Sequence, residues 1–261
     1  MKPGTRIFST IILFLFLFLG GIESIAAANL TMGDAINKAG RQRMLSQRIV
    51  KAYALVGQKV MLSAASQLQG AIKLFDKQLA ELKEFAATDE EKKTIAEVAS
   101  LWKKYKTMAT TKPTRENAEK LAAMSDEVLK KAHKFVLLLQ DRSGTNAGKL
   151  VNISGRQRML SQRIGKFYVL RSWGLDNPEY GIGMQKAVVE FTDALRVLQN
   201  APENTSEIND ALAKVEKDWN TFKISKQLKG NNYIPSLVVR SLDKILDQMN
   251  YITALYAGIT K

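Results

Sequence analysis

With 261 residues, 46% of them apolar, the chain is long enough for one large or two small domains with cores and too apolar to be disordered. Its formal net charge of +14 favours anionic partners without choosing among nucleic acid, acidic lipid and small oxyanions. The lack of cysteine excludes disulfides and thiolate metal sites, and a single histidine, His133, excludes a histidine-rich metal centre.

Residues 1–28 have the pattern of an export signal. Lys2 and Arg6 precede a fully apolar run from Ile11 to Leu19, and Ala26-Ala27-Ala28 offers small residues before Asn29. The run is shorter than the ~20 residues of a membrane span. The expectation is cleavage after Ala28 and a periplasmic protein with no integral membrane span; an uncleaved anchor is the alternative. The first strongly patterned segment is Asn37-Lys38-Ala39-Gly40-Arg41-Gln42-Arg43-Met44-Leu45-Ser46-Gln47-Arg48-Ile49. It returns 115 residues later as Asn152-Ile153-Ser154-Gly155-Arg156-Gln157-Arg158-Met159-Leu160-Ser161-Gln162-Arg163-Ile164. The match runs on through Lys51/Lys166, Tyr53/Tyr168 and Leu55/Leu170.

A second helix follows in each copy, with Leu68, Ile72, Phe75, Leu79 and Leu82 answered by Met184, Val188, Phe191, Leu195 and Leu198. The spacing alternates four and three, the seam of a bundle helix. Ile95, Val98, Trp102 and Tyr105 recur as Leu212, Val215, Trp219 and Phe222 in a third helix. For the fourth, the pattern matches Leu121, Leu129, Phe135, Val136 and Leu139 to Leu237, Ile245, Tyr251, Ile252 and Leu255. Thr88 to Glu91 forms a capping-type start, and Thr114 with Asn117 lies near another. Trp173 to Pro178 separates two helices of the second copy. Ser143 to Gly148 is either a turn or a weak point in one long helix. The expected fold is all-α: two tandem four-helix, up-down-up-down bundle units with pseudo-two-fold symmetry, the first over 29–143 and the second over 144–261.

At 100° per residue, Ile36, Gly40, Arg43, Gln47, Val50 and Ala54 fall on one stripe of the first helix. Val151, Gly155, Arg158, Gln162, Gly165 and Val169 form its counterpart. Small residues there let a second helix come close. An even number of helices returns the chain to its starting end, so the two motif helices can lie parallel, with Gly40 facing Gly155. Arg43 and Arg158 then converge. Two unit charges ~7 Å apart repel by about 2 kcal/mol at an effective dielectric of ~20. No Asp or Glu occurs from Asn37 to Leu55 or from Asn152 to Leu170, so the charge awaits another partner. His133, among Lys130, Lys131 and Lys134, reads as a surface or helix-edge residue. Nothing suggests a catalytic set: no acid pair, nucleophile arrangement or metal-ligand group stands out, so neither enzyme activity nor a cofactor is expected.

The pattern Asn-x-Ala-Gly-x-x-Arg-Met-x-Ser-x-Arg resembles the box of periplasmic nitrate/nitrite sensor domains of the NarX type. It is also similar to the N-terminal domain of type IV pili methyl-accepting chemotaxis transducers (PilJ-like). The resemblance implies that Arg43 and Arg158 bind a small anion, nitrate or nitrite first, between paired helices that Gly40 and Gly155 bring together. Arg41 and Arg156, each followed by Gln, stand where nitrate sensors usually carry small or apolar residues. They add positive charge near the site, and Gln47 and Gln162 lie one turn further on. Ser154 replaces the Ala39 of the first copy. The expected function is a periplasmic sensory or ligand-binding protein for a small oxyanion, contributing to signal transduction or chemotaxis. The alternative is a helical interaction module that docks on a membrane receptor or on pilus or chemotaxis machinery. Nucleic-acid binding rests on net charge alone and is not expected.

Overall fold

The computed structural model describes residues 30–227 and 233–260, and the expected export signal over 1–28 lies outside them. The described residues form eight helices: α1 (Met32–Gln58), α2 (Ala64–Phe85), α3 (Asp89–Ala109), α4 (Arg115–Ser143), α5 (Asn146–Ser172), α6 (Pro178–Gln199), α7 (Ser206–Gln227) and α8 (Pro235–Gly258). Among the described residues there is no strand, and no helix is long and apolar enough to cross a membrane.

Most helix starts follow a capping residue, while α2 and α8 open without a side-chain cap. The Thr88 hydroxyl accepts from the Glu91 amide while the Glu91 carboxylate accepts from the Thr88 amide, a reciprocal box. Thr114 caps α4 through the Asn117 amide, and Asn177 with Pro178 opens α6. The stretch between α4 and α5 is a true break. Gly144 ends α4 at φ 62°, a left-handed conformation that glycine adopts without strain, and Thr145 caps α5 by accepting from the Gly148 amide at 3.0 Å.

Helices α1 to α4 close one bundle and α5 to α8 the other, each with its first helix packed against its second and its fourth. The bundles join mainly through α1 against α5, supported by α1 against α8 and α4 against α5. Gln58 reaches the Val169 carbonyl at one end of this seam and Asn37 meets Arg158 at the other, so α1 and α5 run parallel. Each is therefore surrounded. From Ala35 to Leu55 only Lys38, Arg41 and Arg48 escape full burial, and from Leu150 to Leu170 only Ile153, Arg156 and Arg163. These are the same three positions in the two copies, 115 apart.

The outer helices bury one face each. Phe75 stacks on Trp102 with centroids 3.8 Å apart, and Phe191 meets Trp219 at 4.1 Å, the same pairing in each bundle. In the fourth helices the register differs from the sequence pattern. Leu237 and Tyr251 are 47% and 49% exposed, whereas their supposed counterparts Leu121 and Phe135 are buried. The buried sets of α4 and α8 coincide instead at an offset of 117, so that Leu121 answers Val238, Phe135 answers Ile252 and Leu139 answers Tyr256. The third helices already have that offset.

Candidate functional site

Gly40 and Gly155 face each other at the closest approach of α1 and α5. A Cβ on either would lie 3.8–3.9 Å from the other's Cα. A larger side chain at this level would part the helices, and with them the two arginines that flank the contact.

Arg43 and Arg158 are 1% and 0% exposed. A Cβ on Gly40 would lie 3.3 Å from Nη2 of Arg43 and 3.4 Å from Nη2 of Arg158, so both guanidinium groups converge on the glycine contact. Each reaches across the seam. Nη2 of Arg43 donates to the Asn152 carbonyl and Nη2 of Arg158 to the Asn37 carbonyl, both at 3.1 Å. The second nitrogens turn to the fourth helix of their own bundle. Nη1 of Arg43 lies 3.0 Å from Nδ1 of His133, and Nη1 of Arg158 donates to Asn250 Oδ1 at 3.2 Å and to Asn37 Oδ1 at 2.8 Å. His133 and Asn250 correspond at the offset of 117. All these acceptors are neutral, and neither arginine pairs with a carboxylate among the described residues. Nε of each is buried and unpartnered.

Burial dominates the electrostatics. It presses Arg43 down to about 9, aided by the Arg156 charge, and still leaves the group charged at neutral pH. It holds Arg158 well below its ordinary value, aided by Arg41 and Arg43. His133 is pushed down to about 4 by burial, then by Arg43 and Arg156. Its ring is therefore neutral near pH 7 and can accept the Arg43 hydrogen bond at Nδ1.

The remaining predicted positions divide. Arg156 lies near enough to Arg43 to act on it, but its own partner is Glu190 at 2.7 Å. Arg41 stands in the same relation to Arg158 and feels Glu81. Gln47 and Gln162 do not join the arginines. Their amide nitrogens donate towards the fourth helices, to the Ser125 carbonyl at 3.4 Å and to Asp243 at 3.1 Å. Gln42 and Gln157 donate to the Phe75 and Phe191 carbonyls and so tie each motif helix to its second helix.

Sequence reasoning missed a second reciprocal set. Lys51 of α1 pairs with Asp243 of the other bundle's α8 at 2.5 Å, and Lys166 of α5 pairs with Asp126 of the first bundle's α4 at 3.1 Å. Both lysines are fully buried, and burial lowers each to about 8 against the opposing pull of its aspartate. The acids lie 117 apart and the lysines 115, so the signal was in the repeat once the fourth helices were in register. His133 was missed in the same way. It is at a helix edge as expected, but its ring faces Arg43 rather than the neighbouring lysines.

No curated protein and no solved structure matches the chain. The family model "Type IV pili methyl-accepting chemotaxis transducer N-term" (PilJ) matches residues 25–128 and again residues 142–232, together about three quarters of the sequence. Each matched segment contains one arginine helix. By that double match the chain belongs to the family of type IV pili methyl-accepting chemotaxis transducer N-terminal domains.

Proposed function

We infer that the protein is a periplasmic sensory domain that takes a small planar oxyanion, nitrate or nitrite first, between Arg43 and Arg158. One observation carries this reading: two buried guanidinium groups converge on a glycine contact between parallel helices and are met only by neutral acceptors. A desolvated positive pair of this kind is relieved by an anion that accepts from both planar forks. The unpartnered Nε atoms supply donors for it. The two Nη2 bonds strap α1 to α5, so an anion that takes over those donors alters how the bundles are coupled. That alteration is the signal an attached or docked receptor would read. In the second reading, the arginines serve structure and the helical surface docks on a receptor. The protein acceptors that each Nη1 and Nη2 already meets favour it.

Thermal melts at constant ionic strength separate the two. At one hundred times its Kd, a bound anion adds about 2.7 kcal/mol, or roughly 5–10 °C for a chain of this size. Nitrate or nitrite should give that shift, with sulfate and chloride well behind. Arg43→Lys and Arg158→Lys, which keep charge but lose the fork, should abolish the selectivity. Lys83→Ala, on the outer helix α2, should not. An equal response to all four anions, or selectivity that survives both arginine substitutions, would end the oxyanion reading.

A further inference from the structure

Pseudo-symmetry makes the two flanks of the arginine pair directly comparable, and they differ in charge. On the flank formed by α4 and α5, a cavity of about 270 Å³ opens beside Arg43 and His133. Lys130, Arg156 and Arg163 also line it. The α8 positions equivalent to Lys130 and His133 are Asp247 and Asn250, so the other flank loses a positive charge, gains a negative one and has no imidazole. One acid, Asp126, reaches the cavity, with Lys166 3.1 Å and Arg163 3.9 Å from it. Lys130 has no carboxylate partner among the described residues, and it is exposed. The cations are thus graded in depth, from fully buried Arg43 with its free Nε to Lys130 in solvent. Between these levels the lining includes two apolar side chains, Leu129 and Met159, the latter 3% exposed.

We propose that this cavity is a second, off-axis site that binds one short dicarboxylate per chain. One carboxylate sits at the Arg43–His133 floor, the other at the Lys130 and Arg163 rim, and a short carbon spine lies against Leu129 and Met159. The cavity is several times larger than a three-oxygen inorganic anion needs, and its apolar part would be wasted on one. Two negative charges suit a lining whose cations outnumber its single acid. The neutral His133 ring has a direct role here: with Nδ1 accepting from Arg43, its proton sits on Nε2, which makes the ring a donor for a carboxylate at the floor. This site does not rest on the axial reading. It draws on Arg43 from the cavity side and makes no use of Arg158.

Isothermal titration calorimetry of the purified protein with succinate, acetate and inorganic phosphate tests it. Succinate should bind one per chain, at least ten-fold tighter than acetate or phosphate. Lys130→Asp and His133→Asn convert this flank into a copy of the other at positions outside the core. Each should weaken succinate ten-fold or more, and Lys130→Asp, which touches neither arginine of the axial pair, should leave any nitrate response in place. Arg158→Lys should do the reverse. The absence of succinate binding, or binding that both flank substitutions leave unchanged, would overturn the proposal. Phosphate binding as tightly as succinate would overturn it too, because the apolar lining would then contribute nothing.

Discussion

The two motif helices and the four outer helices are stabilised by different physics. The outer helices α2, α3, α6 and α7 bury one apolar face and leave the other in water, as amphipathic helices do. Helices α1 and α5 are enclosed almost all round, yet what they enclose includes arginine, lysine, glutamine and serine. An apolar helix in the same place would be easier to bury. The glutamines find partners within their own bundle, whereas the four buried cations reach the other one: Asn152 for Arg43, Asn37 for Arg158, Asp243 for Lys51, Asp126 for Lys166. The outer helices hold each bundle together, and the polar set on the inner helices fixes how one bundle registers on the other.

Substitutions sharpen this contrast. The largest losses should come from both classes, for different reasons. Phe75→Ala removes a stacked ring from an outer core and should cost about 3–5 kcal/mol in chemical denaturation. Asp243→Ala removes no core volume but strands the buried Lys51, and should cost a similar ~3–5 kcal/mol at pH 7. The two separate in the double substitution Lys51→Met with Asp243→Leu. It should restore most of the stability lost in Asp243→Ala, because an apolar pair avoids the desolvation cost. No apolar repair exists for the Phe75 cavity short of refilling it.

A smaller effect appears with pH. Lys51 and Lys166 ionise at about 8 in the folded protein and near ~10.4 when unfolded. The unfolded chain therefore holds more protons between those values, and stability should rise as the pH rises from 8 towards 10, by on the order of 2 kcal/mol per lysine. Above ~10 the trend should reverse, because buried Tyr105 is raised well above its ordinary value and Tyr256 is pushed up to about 12. Lys51→Met should remove about half of the rise. His133 works in the acid range. Its folded value of about 4 lies below the unfolded ~6.5, so stability should fall as the pH drops from 6.5 to 4. Because the ring is part-exposed and solvent screens it, the loss should be about 1 kcal/mol, and His133→Asn should flatten it. Smallest of all, Lys120→Ala, which breaks an exposed pair with Glu116, should leave the denaturation midpoint unchanged.

The two halves of the fold were unequally legible in the sequence. Repeats, caps and the glycine contact could be read directly, because each rests on local spacing. The register of α8 could not, because its apolar residues come in adjacent pairs such as Val238-Val239, Ile245-Leu246 and Tyr251-Ile252. Offsets of 116 and 117 both lay apolar on apolar. The acids do not separate them either, since Asp243 is met by Asp126 at 117 and by Glu127 at 116, and only the packing of α8 selects 117. The motif lysines and His133 went unassigned for that reason: their partners lie on helices distant in sequence, where no periodicity points. The acid-free stretch around each arginine was visible, but it could not say which neutral groups would meet the guanidinium nitrogens.

The central claim concerns the space between those nitrogens, and a crystal structure of the protein grown in sodium nitrate tests it most directly. The account predicts planar three-oxygen density between Arg43 and Arg158, within ~3 Å of donors from both guanidinium groups, with at least one of the Asn37 and Asn152 carbonyl contacts lengthened. Density confined to the Lys130 flank, or an arginine pair still closed on both carbonyls in saturating nitrate, would contradict it.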